Sequence, residues 1–149
     1  MNDTIDQIEG EVETDAEMAQ AIETLKAAGV RNCYLAAPLS SGDVTLEASR
    51  AFAASRVTGM MTDADIVVYS PLSHGWLLKQ FHGDRPHDWW MAHCIPMLDR
   101  FEYLVILALP GWDRSEGVRM EIEHAEANGI KIRWLAPSPR LIADFKLDR

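Results

Sequence analysis

Cysteine is nearly missing from this chain, with Cys33 and Cys94 the only two in 149 residues. Two thiols, one of them inside a strand-like run, do not make a disulfide framework, so a reducing, cytoplasmic setting is expected. Long apolar runs are also lacking. Nothing approaches the roughly 20 residues that a membrane helix needs, and no membrane partner is expected. The opening Met-Asn-Asp-Thr-Ile-Asp has neither a basic start nor an apolar core, so no secretory leader is expected. Cations are scarce: 14 Lys and Arg stand against 23 Asp and Glu, a net charge of -9. That balance argues against a broad basic face for polymeric nucleic acid. A single mononucleotide stays open, because the first amides of a helix hold a phosphate without a basic surface. His74, His82 and His87 have no paired helical or Cys-x-x-Cys spacing, so neither metal nor cofactor is expected.

What is present suits one globular α/β domain over residues 14–149, behind an acidic tail at 1–13 that has no apolar periodicity and is expected to be flexible and dispensable. Thr14 or Asp15 can cap a helix carrying Met18, Ile22 and Leu25 at helical spacing, with Gly29 ending it. Asn32 to Ser40 reads as a short buried strand running into a turn at Pro38. An Ala-rich helix is expected from Val44 to about residue 62, with Leu46, Phe52, Ala53 and Val57 on its apolar face and Arg50 and Arg56 on the surface. Ala64 to Pro71 reads as a second strand whose Ser70-Pro71 end faces a ligand crevice.

Residues 72–90 read as a long connection, and a loop of that length in a compact domain is usually functional, commonly a lid. Its His74, Trp76, Trp89 and Trp90 could stack on a base, or the two adjacent tryptophans could begin the next helix and bury themselves. That helix runs from about Pro86 to Leu98 and is expected to kink at Pro96. Tyr103 to Leu109 can only be a buried strand, Ile130 to Leu135 alternates as a last one, and Leu141 to Arg149 reads as a short docked tail. Strands alternating with helices predict a doubly wound, Rossmann- or flavodoxin-like parallel sheet of about four or five strands, with helices on both faces.

The chemistry centres on the stretch from Gly111 to Ala125, which follows the most apolar strand. In open parallel sheets the crevice beyond the carboxyl ends of the strands is where ligands bind. Val118, Ile122 and Ala125 recur at the spacing of a core-facing stripe, and Glu121 falls on the same stripe. A carboxylate there either points into a cleft with its pKa raised or rests at the margin of the stripe, helped by the helix dipole.

Ser115-x-Gly117-Val118-x-x-Glu121-Ile122-x-x-Ala125 resembles the signature of the nucleoside 2-deoxyribosyltransferase-like superfamily, which includes the nucleoside deoxyribosyltransferases and the 2'-deoxynucleoside 5'-monophosphate N-glycosidases. Tyr34-Leu35-Ala36-Ala37-Pro38 is similar to that superfamily's first strand and loop, of the form Tyr-Leu-Ala-Gly-Pro, with Ala37 in place of the Gly. The resemblance spans residues 32 to 135. It implies cleavage or transfer at an N-glycosidic bond, hence a hydrolase or a transferase, with Glu121 as nucleophile and Tyr34 orienting it. Ser115 and Gly117 would hold a 5'-phosphate. Pro38, Ser40, Ser70, His74 and Trp112 would complete the binding site. It also implies an Asp on the helix before the central strand. Cys94 stands at the aligned place, and Asp99, a turn further on, is the candidate to take that role. Related subunits complete one another's pockets, so a homodimer or larger homo-oligomer is implied. The competing readings are a nucleotide-binding module without turnover, suggested by Cys94 and Ala37, and an assembly protein in which Glu121 only buries an ion pair.

Overall fold

The computed structural model describes residues 15–143. In chain order these form α1 (Ala16–Ala27), β1 (Asn32–Ala36), α2 (Val44–Asp63), β2 (Val67–Tyr69), α3 (Pro71–His82), α4 (His87–Leu98), β3 (Tyr103–Leu107), a 3-10 turn (Trp112–Arg114), α5 (Glu116–Ala127), β4 (Lys131–Leu135) and α6 (Pro139–Ala143). The acidic tail expected over residues 1–13 and the end of the expected docked tail lie outside the described residues. Among the described residues no helix is long and apolar enough to cross a membrane.

The four strands form one sheet in the order β2-β1-β3-β4, and every pairing is parallel. This is the doubly wound α/β architecture read from the sequence. The two central strands are apolar on both faces, so helices must cover both. Cys33, Leu35 and Ala37 of the first strand segment join Tyr103, Val105 and Leu107 of β3 in a core with α1, α2 and Leu141 of α6. Tyr34, Ala36, Leu104 and Ile106 face the other way, against Leu98 of α4 and Val118 and Ala125 of α5. The two-residue period of a strand thus sends Tyr34 to the face covered by α4 and α5. The winding reverses between β1 and β3, and their carboxyl ends open the crevice characteristic of such a switch point.

Local chemistry explains the helix starts. Asp43 accepts hydrogen bonds from the amides of Thr45 at 2.9 Å and Leu46 at 3.4 Å at the head of α2. Ser115 Oγ accepts from the Val118 amide at 3.2 Å at the head of α5. Each satisfies an amide that the helix leaves unpaired.

Three expectations are corrected here. Residues 72–90 are not a loop. Ser70 accepts from the Ser73 amide at 3.2 Å and Pro71 occupies the first helical position, so α3 begins where a strand end was expected, and Gly83 at φ 78 closes it. Only residues 83–86 then connect α3 to α4. A Ser-Pro pair after a strand starts a helix as readily as it ends the strand, since Pro suits the first helical position. Phe52 is 72% exposed, because the buried stripe of α2 runs through Ala53, Ala54, Val57 and Met61 instead. Arg50, expected on the surface, is only 6% exposed.

Candidate functional site

A cavity of about 420 Å³ opens at the carboxyl edge of the sheet. Its floor is Ala37, Leu39 and Ser40, just beyond β1. One wall comes from α3 through Pro71, Leu72, Gly75 and Lys79, another from α4 through His87, Trp90, Met91 and Cys94, and the last from Arg114, Ser115, Glu116, Gly117 and Glu121 at the start of α5. Gly75 lets α3 approach α4 closely: a Cβ at this position would lie 3.1 Å from the Trp90 ring.

Glu121 is 4% exposed and lines this cavity. Burial pushes its carboxyl up to about 7, while the Tyr34 hydroxyl facing it pulls the other way. The stripe that carries Val118 and Ala125 carries Glu121 inward with them. The three other acids of this helix are exposed: Arg119 pairs with both Glu116 and Glu123, and Glu126 lies a turn nearer the helix end. Glu116, although it reaches the cavity lip, is held below the usual carboxylate range by that Arg119 contact. Glu121 is therefore the one buried acid of α5, and burial raises its carboxyl to about 7.

Tyr34 is fully buried behind the cavity wall. Its hydroxyl is raised well above the ordinary tyrosine range, first by burial and then by the Glu121 carboxyl and the Cys94 thiol beside it. It is near enough to both for electrostatic interaction, yet completes no hydrogen bond of normal geometry. The Cys94 thiol is itself pushed up to about 11 by burial, so it stays protonated at neutral pH and does not substitute for a carboxylate. Buried Tyr34 and Glu121 and the half-buried Cys94 thus come together from β1, α5 and α4, without the Tyr34–Glu121 hydrogen bond that an orienting role would use.

Of the other residues singled out from the sequence, Ser115, Gly117 and Ser40 line the cavity. Ser115 already uses an oxygen lone pair to cap α5, and its O–H is left to point elsewhere. Pro38 is buried beneath the floor rather than in the lining. Ser70 is occupied by the Ser73 amide and the Ser73 hydroxyl at the head of α3. The His74 ring packs 5.8 Å from that of Tyr69, and Trp112 lies edge-on to Trp134 at 4.8 Å, both away from the lining. Asp99 caps the end of α4, where His124 contacts it at 2.6 Å, and it does not reach the cavity. Its side chain is drawn to the neighbouring helix rather than the crevice. His74, His82 and His87 do not converge, and no group of three or more metal-ligating side chains occurs among the described residues.

Several lining residues were not singled out from the sequence. Glu47 accepts from the Ser41 amide at 3.1 Å and from Lys79 Nζ at 3.2 Å, and Lys79 also meets Asp84 at 3.2 Å. This chain of charges joins α2, α3 and the 83–86 link at the rim. His87 stands over the first turn of α5, its Cε1 3.7 Å from where a Cβ on Gly117 would lie. Glu47 and Lys79 are 32 residues apart, and only the antiparallel packing of α2 on α3 brings them together. Arg50 donates to the carbonyls of Leu39 at 3.1 Å, Ser40 at 3.3 Å and Pro110 at 3.0 Å.

Fold and site together define a class: a parallel α/β protein with a ligand-sized pocket at the switch point of its sheet and a buried carboxyl, raised in pKa, in the pocket wall. Residues 31–136 match the family described as Domain of unknown function (DUF1937), and the chain belongs to that family. The match contains every residue of the cavity lining and leaves out only α1 and α6 among the helices. A search of curated proteins returned no match to this chain.

Proposed function

We propose that the pocket cleaves, or transfers across, the N-glycosidic bond of a 2'-deoxynucleoside or its 5'-monophosphate, with Glu121 as nucleophile. The observation that carries this reading is the Glu121 carboxyl: 4% exposed, in the cavity wall, pushed up to about 7, and faced by the Tyr34 hydroxyl. A carboxyl placed so is costly to the fold and has no cation to offset it. The resemblance of the Ser115-to-Ala125 segment to the deoxyribosyltransferase-like signature supplies the substrate class.

In this mechanism the ionised Glu121 forms a bond to C1' as the bond from C1' to the base nitrogen breaks. The base leaves with the bonding pair and takes a proton from water in the open pocket. The resulting deoxyribosyl ester is then opened by water or by an incoming base, which restores Glu121. Ser115 and the first amides of α5 hold the 5'-phosphate, and Trp90 offers an aromatic face to the base. Because the nucleophile must be ionised, turnover should rise with pH through about 7, the value at which Glu121 loses its proton. The activity belongs to a reducing cytoplasm, in keeping with the free thiols Cys33 and Cys94, and by the same resemblance to a homodimer or larger homo-oligomer.

Glu121→Gln keeps the side chain's size but cannot form the ester, so turnover should fall by orders of magnitude while ligand binding persists. Quenching the wild type with a 2-fluoro sugar analogue should leave an adduct on the peptide containing Glu121. An adduct mapped elsewhere, or an active Glu121→Gln protein, would refute the mechanism. A second reading, a nucleotide-binding module without turnover, is favoured by Cys94, whose protonated thiol stands where the resemblance expects an Asp. Calorimetric binding of a deoxynucleoside monophosphate by a wild type that releases no base would select it.

A further inference from the structure

We propose that Arg50 is a positioning residue, a clamp across the switch point of the sheet that sets the gap between the two loops forming the pocket. Strands β1 and β3 are neighbours, but the chain leaves them in opposite directions, so nothing in the sheet itself ties the loops after them together. Arg50 does. From α2 its guanidinium reaches Leu39 O and Ser40 O after β1 with one nitrogen, and Pro110 O after β3 with the other. Leu39 and Ser40 floor the cavity, and Pro110 leads through the 3-10 turn to Ser115 and the head of α5.

The planar, forked guanidinium suits a bridge of this kind, since its donors point to two sides at fixed angles and lysine has no equivalent. Gly111 completes the fit. It adopts φ +94, and a Cβ there would lie 2.6 Å from Arg50 Nη2, far inside contact. The turn carrying Ser115 is therefore shaped around the guanidinium. Arg50 lies outside the cavity lining, so it acts through the loops and not on a ligand.

This inference rests on the pocket being the ligand site, so its test needs a readout that does not depend on the substrate. Cys94 provides one, because it lines the cavity whereas Cys33 is fully buried. Arg50→Lys, Gly111→Ala and the double variant should be compared with wild type in two measurements: the rate of Cys94 alkylation by iodoacetamide, mapped by peptide mass, and base release from a deoxynucleoside monophosphate. Each single variant should change the alkylation rate severalfold and raise KM about tenfold, with kcat moving far less, the pattern for loops that bind the ligand but do not react with it. Gly111→Ala should have a smaller effect in the Arg50→Lys background than in wild type, because the clashing nitrogen is gone while the cost of the left-handed backbone is the same in both. Equal effects of Gly111→Ala in both backgrounds would overturn the clamp, since the left-handed backbone alone would then explain them. Unchanged alkylation and KM in folded Arg50→Lys would overturn it as well. If the wild type releases no base, the proposed reaction fails, and the alkylation rates still decide the clamp.

Discussion

Glu121 sets stability against ionisation, and the sign of that conflict can be worked out. Its carboxyl ionises near the ordinary 4.5 in the unfolded chain and at about 7 in the fold. Between those values the unfolded chain has given up a proton that the folded protein keeps, so stability falls as pH rises through this window and levels off above it. The full difference is roughly 3 kcal/mol. Glu121→Gln carries no such penalty. In urea titrations it should gain on wild type between pH 5 and pH 8, and an equal offset at both pH values would contradict the assigned burial. Ser115 has two tasks at one oxygen. Ser115→Ala should cost about 1 kcal/mol of stability through the lost cap. It should also weaken binding of a 5'-monophosphate by roughly 1.5 to 3 kcal/mol relative to the free nucleoside, through the lost hydrogen bond to a charged group. Equal weakening for both ligands, measured by calorimetry, would remove the phosphate assignment.

At the scale of the element, the start of α1 is tied to the far end of the chain. Asp15 caps the helix through the Met18 amide at 3.2 Å and accepts from Ser138 Oγ at 2.8 Å, and both residues are buried. Asp15→Ala removes the cap and leaves the Ser138 hydroxyl buried without its acceptor, so unfolding in urea should show a loss of about 2 kcal/mol. A change under about 0.5 kcal/mol would mean that the link is solvated and contributes nothing. The helices that form the pocket depend on close approach in a different way. Gly75 admits the Trp90 ring, and the charges of Glu47, Lys79 and Asp84 hold α2, α3 and the 83–86 link around the rim.

For the molecule as a whole, the excess of acid fits a small ligand better than a polymer. The net charge of -9 repels a phosphate backbone that comes within a Debye length, roughly 8 Å at physiological salt, of the surface. No retardation of DNA or RNA should be seen in a mobility-shift assay at physiological salt, and a salt-dependent shift would show a basic surface that the charge balance does not suggest. The cavity lining differs from the surface as a whole: Ser115 and Gly117 at the head of α5 line it together with the basic side chains of Lys79, Arg85 and Arg114.

The four strands, the approximate limits of α1, α2 and α5, and the place of Glu121 on a core-facing stripe were legible in the sequence, because each follows from a local period or a capping residue. The identity of α3 was not read correctly. Ser70-Pro71 suits a strand end as well as a helix start, and here Ser70 caps the Ser73 amide and Pro71 takes the first helical position. Likewise, a carboxylate on an apolar stripe is visible in one dimension, but its raised pKa comes from the walls that α4 and β1 place around it. Arg50 shows the limit most clearly. Its partners Leu39, Ser40 and Pro110 offer backbone carbonyls, which every residue has, so no side-chain pattern could announce them. Asp99 shows the converse, since closeness in sequence to the expected position did not bring it to the pocket and the neighbouring His124 holds it outside. Local periodicity determined the strands and most of the helices, while the contacts that make a site join residues from different strands and helices, and those exist only once the sheet has closed its crevice.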